Sequence, residues 1–340
     1  MTSEKNILNC KIAEELHGDV YLITLYSIKI FLCIISIISL SLLILFKFKK
    51  LSWIGHINGK LLFISHIVWS LLLPISVIIC YSYDLHRHLT VVSNYCDLLV
   101  PMRFSTQLKL PFVTALTGQI LSMLSLAIER AFSIFEPSKY EQITKPYLAI
   151  ILIISTMVLS CYLTYGFLYF SYKDLNALTP LISTRSSESL FRSAIVSWFN
   201  CASEIIFIVI FILSLYKSYR DKKYFMRHGA QLGSKYQVEE TRQVIHKLLP
   251  MCFLHFIISF SNHFFLAIYP WLYPNANLGK YAIYIEVISQ SHLYSLFLPF
   301  ILLYQLKSHH RIRQNVVVAH PRQDDYFYSL KTYFDQNYKK

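Results

Sequence analysis

Seven apolar stretches, each long enough to cross a bilayer as a helix, constrain this chain more than any other feature. They run approximately Tyr21–Phe46, Leu61–Tyr83, Gln107–Phe135, Tyr147–Phe170, Arg192–Tyr216, His246–Trp271 and Tyr281–Tyr304. About 20 residues of helix span the hydrocarbon core. Inside lipid each segment must satisfy its own backbone hydrogen bonds, so these stretches fold as helices. The polar connectors are short, which makes consecutive helices antiparallel neighbours. The composition agrees: 55% of the residues are hydrophobic and 15% charged, against about a quarter charged in soluble domains. The expected fold is an all-α membrane protein, a seven-transmembrane helix bundle.

Orientation is read from the basic residues, which concentrate on the cytoplasmic side of membrane proteins. Of the 32 Lys and Arg, 22 fall in one set of alternate connectors and the tail, including Lys47, Lys60, Lys139, Lys222, Lys223 and Arg311. The expected topology therefore has the amino terminus outside and the carboxyl terminus in the cytosol. Residues 1–20 form an extracellular amino terminus, 21–305 the seven-span domain and 306–340 a cytosolic tail. The net charge of +13 follows from that bias and from attraction to an anionic inner leaflet, so nucleic acid is not an expected partner. Met1 to Asp19 is polar and has no basic-then-apolar layout, so the first span is expected to serve as an uncleaved insertion signal. No Asn-X-Ser/Thr acceptor occurs.

The third span is the expected hub. It carries the small residues Gly118, Ser122 and Ser125, which let neighbouring backbones approach closely. It ends in an adjacent acid and base, Glu129 and Arg130, expected at the membrane surface because mid-bilayer burial of charge is costly. Before the sixth span, Ser234-Lys235-Tyr236-Gln237 has the Ser-x-x-Gln pattern of a capping box, so that helix is expected to start in the cytosol. Pro250, lacking an N–H, would kink it. The tail from Gln305 to Arg313 reads as a short basic helix or a solvated segment, with disorder expected from Gln314. Of seven cysteines, only Cys10 and Cys96 lie in polar stretches. Both fall outside, where they form one candidate disulfide; two free thiols are the alternative.

These features together resemble a G-protein-coupled receptor, and more closely the nematode serpentine chemoreceptors of the Sra superfamily, with its Sra, Srab and Srb classes. The residues that carry the resemblance are Leu232 to Glu240 before the sixth span, Tyr83-Asp84-Leu85 and Cys96-Asp97-Leu98-Leu99 around the first outer loop, and Ala127-Ile128-Glu129-Arg130. It covers roughly Cys10 to Arg313. The chain departs from rhodopsin-like receptors in three places: Ala131 follows the arginine, the loop from Ser171 to Ser189 holds no cysteine, and Leu298-Pro299 has no Asn before the proline.

The resemblance implies a chemosensory receptor in the plasma membrane, including that of a sensory cilium. Its implied partners are a small chemical ligand and a heterotrimeric G protein. Arg130 is the candidate switch, paired with Glu129, Glu239 or Glu240 at rest and released when the sixth span moves; Tyr236 and Gln237 belong to the same coupling surface. The alternative is an arginine that snorkels to the interface. Candidate ligand contacts are the polar groups of the outer half: Lys29, Trp198, Glu204, Asn262, His263, Glu286 and Gln290. Ionisable groups at membrane depth face the bundle or water rather than lipid. The alternative for each is an interhelical hydrogen bond.

No cofactor, metal site or enzyme chemistry is expected. His66, His255 and His292 lack metal-ligand spacing, the seventh span has no lysine for a Schiff base, and no phosphate-binding or nucleophile-elbow motif occurs. A seven-span ligand-gated channel or transporter is the rival reading, disfavoured by the few polar stripes and broken helices along the spans.

Overall fold

The structure is a computed structural model, and it describes residues 2–47, 56–136, 139–140, 145–166, 178–180, 187–228, 232–273 and 278–319. In chain order these form α1 (Thr2–Leu16), α2 (Val20–Lys47), α3 (Ile57–Leu89), a 3₁₀ turn (Tyr95–Leu98), β1 (Val100–Pro101), α4 (Met102–Phe135) and α5 (Tyr147–Thr164). Then follow β2 (Leu178–Thr179), α6 (Ser187–His228), α7 (Leu232–Leu272), α8 (Leu278–Ile288) and α9 (His292–Ala319). Among the described residues seven helical segments have the length and hydropathy of membrane spans. The chain divides into two compact units, Met1–Pro299 and Phe300–Lys340. The described part of the second is the continuation of α9 to Ala319.

The helix faces follow from residue spacing. On α2 the residues Leu22, Tyr26, Lys29, Cys33, Ser36, Leu40 and Leu43 are buried, three or four apart along one stripe. Ile28, Phe31, Ile34, Ile38, Leu42 and Leu45 are exposed, three or four apart on the other. In a soluble protein such an apolar exposed stripe would demand a partner; on a membrane span it is the lipid face. α4 differs. Within its most apolar stretch 72% of residues are buried, against 28% for α2 and for α5, so α4 is the central helix.

Close packing around α4 depends on Gly118. A Cβ built there would fall 2.6 Å from the Trp69 ring of α3, inside any permitted contact, so α3 and α4 meet at this glycine. Polar links cross the same level. Gln119 donates to the hydroxyls of Ser70 at 2.9 Å and Ser295 at 3.4 Å. The His66 ring bonds Ser122 at 2.8 Å and Tyr294 at 2.7 Å. Ser125 and Thr156 lie 3.0 Å apart. The small polar residues of α4 thus join it to α3, α5 and α9.

The element bounds correct several expectations. α1 is an ordered helix where a merely polar segment was expected, and Ile12, Ala13 and Leu16 bury its inner face. α6 extends from Ser187 to His228, well beyond Arg192–Tyr216 at both ends. α7 begins at Leu232, so Ser234 lies within its first turn rather than ahead of it. The seventh span is interrupted: α8 ends at Ile288, and Ser289 to Ser291 separate it from α9. α9 continues to Ala319, past the Gln314 at which order was expected to end.

Candidate ligand cleft and the buried Glu129–Arg130 pair

One end of the first unit is closed by chain rather than by spans. Cys10 of α1 is joined to Cys96 of the 3₁₀ turn by a disulfide, with Cα atoms 4.8 Å apart. β1 and β2 pair antiparallel, Val100 opposite Thr179, and Asn9 donates to the Leu178 carbonyl at 2.7 Å. Arg87, at the end of α3, gathers these pieces. Its guanidinium pairs with Asp84 at 3.1 Å and donates to the carbonyls of Pro180, at 3.1 Å, and Leu98.

Below this cap lies a cleft enclosing about 760 Å³ of non-protein space, its open mouth included. Its walls come from α3 (Val77, Tyr81, Asp84), α4 (Lys109, Phe112, Leu116), α6 (Ser197, Asn200), α7 (His263) and the α8 segment with its break (Glu286, Ser289). Most of the lining is apolar, with polar groups at separate points.

Behind the wall sits a buried ion pair. The Lys29 ammonium, 1% exposed, lies 2.9 Å from Glu286 Oε2, which is equally buried. It also donates to the Glu286 carbonyl at 2.6 Å and to the Tyr81 hydroxyl at 3.0 Å, and stands 4.5 Å from the Tyr81 ring centroid. A lysine at this depth is stable only when its donors are all used, and here three acceptors take them. Lys29 is therefore no snorkelling side chain. Deeper in, His255 Nδ1 of α7 lies 3.1 Å from Glu204 Oε1 of α6, both fully buried. The His255 ring meets Tyr294 edge-on at 4.6 Å, and Tyr294 holds His66.

At the other end of α4 stands the acid–base pair. Glu129 is fully buried and Arg130 is 3% exposed, so the pair near the end of α4 is packed within the bundle and Arg130 is no snorkelling arginine. Burial is possible because the charges are matched. Arg130 donates through Nε and Nη2 to the two Glu129 oxygens, and the hydroxyl of Tyr140 donates to Glu129 Oε1. Tyr140 is itself fully buried, with its ring 4.2 Å from His56 at the start of α3. Tyr236, Gln237, Glu239 and Glu240 belong to α7, but their side chains lie outside the described residues.

Of the sequence-derived ligand candidates, Glu286 and His263 line the cleft and Lys29 supports Glu286 from behind. Trp198, Glu204, Asn262 and Gln290 do not line it. Trp198 is 43% exposed, with Phe264 at 6.1 Å. Gln290 sits in the helix break and donates to the Val287 carbonyl at 2.9 Å. Sequence reading passed over Asp84, Lys109, Asn200 and Tyr140. Asn200 had a signal: Ser193, Ser197, Asn200 and Glu204 recur at four- and three-residue steps, one helical face. Tyr140 had none, since a connector carries no periodicity.

Comparison with known proteins places this architecture. The model of the serpentine type 7TM GPCR receptor class ab chemoreceptors matches residues 7–340. Serpentine receptor class beta-13 of Caenorhabditis elegans is 24% identical over 221 residues, 65% of this chain, and the chain spans 63% of that relative's length. The match covers the cap, the cleft and the Glu129–Arg130 pair alike, and the chain belongs to the serpentine class ab chemoreceptor family of seven-transmembrane receptors.

Proposed function

We propose that this multi-pass membrane protein is a chemosensory receptor of the plasma membrane, including that of a sensory cilium, with its amino terminus outside. A small chemical binds the cleft beneath the disulfide-tied cap, and a heterotrimeric G protein engages the Glu129–Arg130 end. One observation carries the reading: α4 supplies both a wall of the cleft, through Lys109 to Leu116, and the buried acid–base pair. Lys109 and Arg130 are separated by roughly 30 Å of helix at 1.5 Å per residue, about one membrane thickness. A ligand that binds one arrangement of the bundle better than another shifts the population toward it. Arg130, paired with Glu129, is then freed for the G protein.

The test uses two substitutions in cells expressing the receptor, read by G-protein activation across an odorant panel. Leu116→Trp fills the cleft and should remove the response with surface expression intact. Arg130→Ala should remove activation while leaving ligand binding within a few-fold. Full signalling from either variant overturns the corresponding half of the proposal.

The break at Ser289–Ser291 beside the cleft lends weight to a second reading, because discontinuous helices at polar sites occur in transporters. A ligand-gated channel or transporter would give agonist-evoked current or flux in cells lacking G proteins.

A further inference from the structure

We infer that the cleft selects uncharged molecules carrying a hydroxyl group, and that Asn200 with His263 reads that hydroxyl. The inference rests on the cleft being the ligand site and adds the chemical class it takes.

The carboxylates on the wall are already engaged. Glu286 is held by Lys29 and Asp84 by Arg87, and Lys109 also has a partner. A charged ligand would have to break one of these pairs or bring its charge into a largely apolar enclosure, and either is unfavourable. The remainder of the lining, with Val77, Phe112, Val113, Leu116 and Leu266, favours a hydrocarbon body by simple burial.

Asn200 supplies the specific contact. It lines the cleft and is 1% exposed. Its Nδ2 faces His263 Nε2 at 3.4 Å, while its buried Oδ1 has no hydrogen-bond partner among the described residues. A buried amide oxygen left unpaired is costly, so the group best accommodated beside it donates a hydrogen bond without charge. A hydroxyl does this. It also accepts, so it satisfies whichever half of the amide is turned toward it. An ether only accepts, a carboxylate accepts and carries charge, and an ammonium donates and carries charge.

The experiment uses the full-length receptor in lipid nanodiscs and matched probes on linear, branched and cyclic skeletons of roughly six to ten carbons. Each skeleton is offered as alcohol, methyl ether, carboxylate and ammonium, and binding is read by saturation-transfer NMR and thermal shift. At least one alcohol should bind roughly tenfold tighter than its ether, the worth of one satisfied hydrogen bond, and tighter than both charged forms. Asn200→Leu should reduce that preference to within about twofold, and Asn200→Ser should retain part of it. Should neither variant fold, the wild-type ratio of alcohol to ether decides. A charged probe binding tightest, an alcohol preference that survives Asn200→Leu, or no alcohol binding at all overturns the hydroxyl inference. Alcohol binding that persists unchanged in Leu116→Trp instead removes the cleft as the site, a distinguishable failure.

Discussion

Two buried Lys/Arg–Glu pairs toward opposite ends of the first unit are chemically alike and structurally different. Lys29 and Glu286 are 257 positions apart in the chain and join α2 to α8. Glu129 and Arg130 are adjacent on one helix. The first pair exists only when the bundle is assembled, and its members are held in register by Tyr81 and the Glu286 carbonyl. The second is formed within α4 and is joined by the Tyr140 hydroxyl. A charge pair that bridges distant segments acts as a fold determinant, because separating it strands two charges in a low-dielectric interior. A pair between neighbours can open by side-chain rotation with the helices in place. That difference suits the first pair to holding the cleft wall and the second to switching.

The largest effect should come from breaking the long-range pair. Lys29→Met leaves Glu286 buried without its cation, at a cost of about 3–5 kcal/mol. Thermal unfolding of the purified receptor should show it directly. Adding Glu286→Leu should restore most of the loss, since an apolar pair of similar volume avoids both desolvation terms. Loss in the single variant without recovery in the double would mean that the carboxylate itself, not the pairing, supports the cleft wall.

A control for the comparison lies between the two pairs and touches neither. Gly118→Leu drives a side chain into the Trp69 ring, 2.6 Å from where its Cβ would stand. It should cost about 3 kcal/mol, the upper end for overpacking. Trp69→Leu in the same chain opens the space and should recover part of it. The penalty should add to that of Lys29→Met without coupling; a strong interaction energy between them would show that the Lys29 pair and the α3–α4 contact form one cooperative unit.

The spans and their hub were legible in the sequence because lipid leaves helices few alternatives, and because Gly118, Ser122 and Ser125 mark a crowded helix. α1 was missed since its buried stripe, Ile12, Ala13 and Leu16, is too short to stand out among charged neighbours. The interruption at Ser289–Ser291 coincides with the polar run Ser289-Gln290-Ser291-His292, which was lost in a span-length view because apolar residues flank it on both sides. Within the site, Glu286 and His263 drew notice while Asp84, Lys109 and Asn200 did not, although Asn200 shares a helical face with Glu204. Partnerships were the least legible feature. Lys29 with Glu286, and Tyr140 with Glu129, depend on which helices and connectors become neighbours, and no local pattern encodes that.

The smallest effect, and the sharpest test of the contrast, is Tyr140→Phe. It removes one donor from Glu129 and a 3.5 Å acceptor from Arg130, and leaves the two bonds between Glu129 and Arg130 in place. The ring remains to pack against His56 at 4.2 Å, so the stability loss should be only about 1 kcal/mol. Signalling should respond more than stability does. With one of its three restraints gone, Glu129 holds Arg130 less firmly, and a 1 kcal/mol shift changes a two-state ratio about fivefold. Ligand-free G-protein activation should therefore rise several-fold at unchanged surface expression, while Lys29→Met, which acts on folding, should lower expression and raise no basal signal. Unaltered basal activity in Tyr140→Phe, together with a thermal shift as large as that of Lys29→Met, would show that the Glu129–Arg130 cluster is also a fold determinant and that its local wiring carries no switching role.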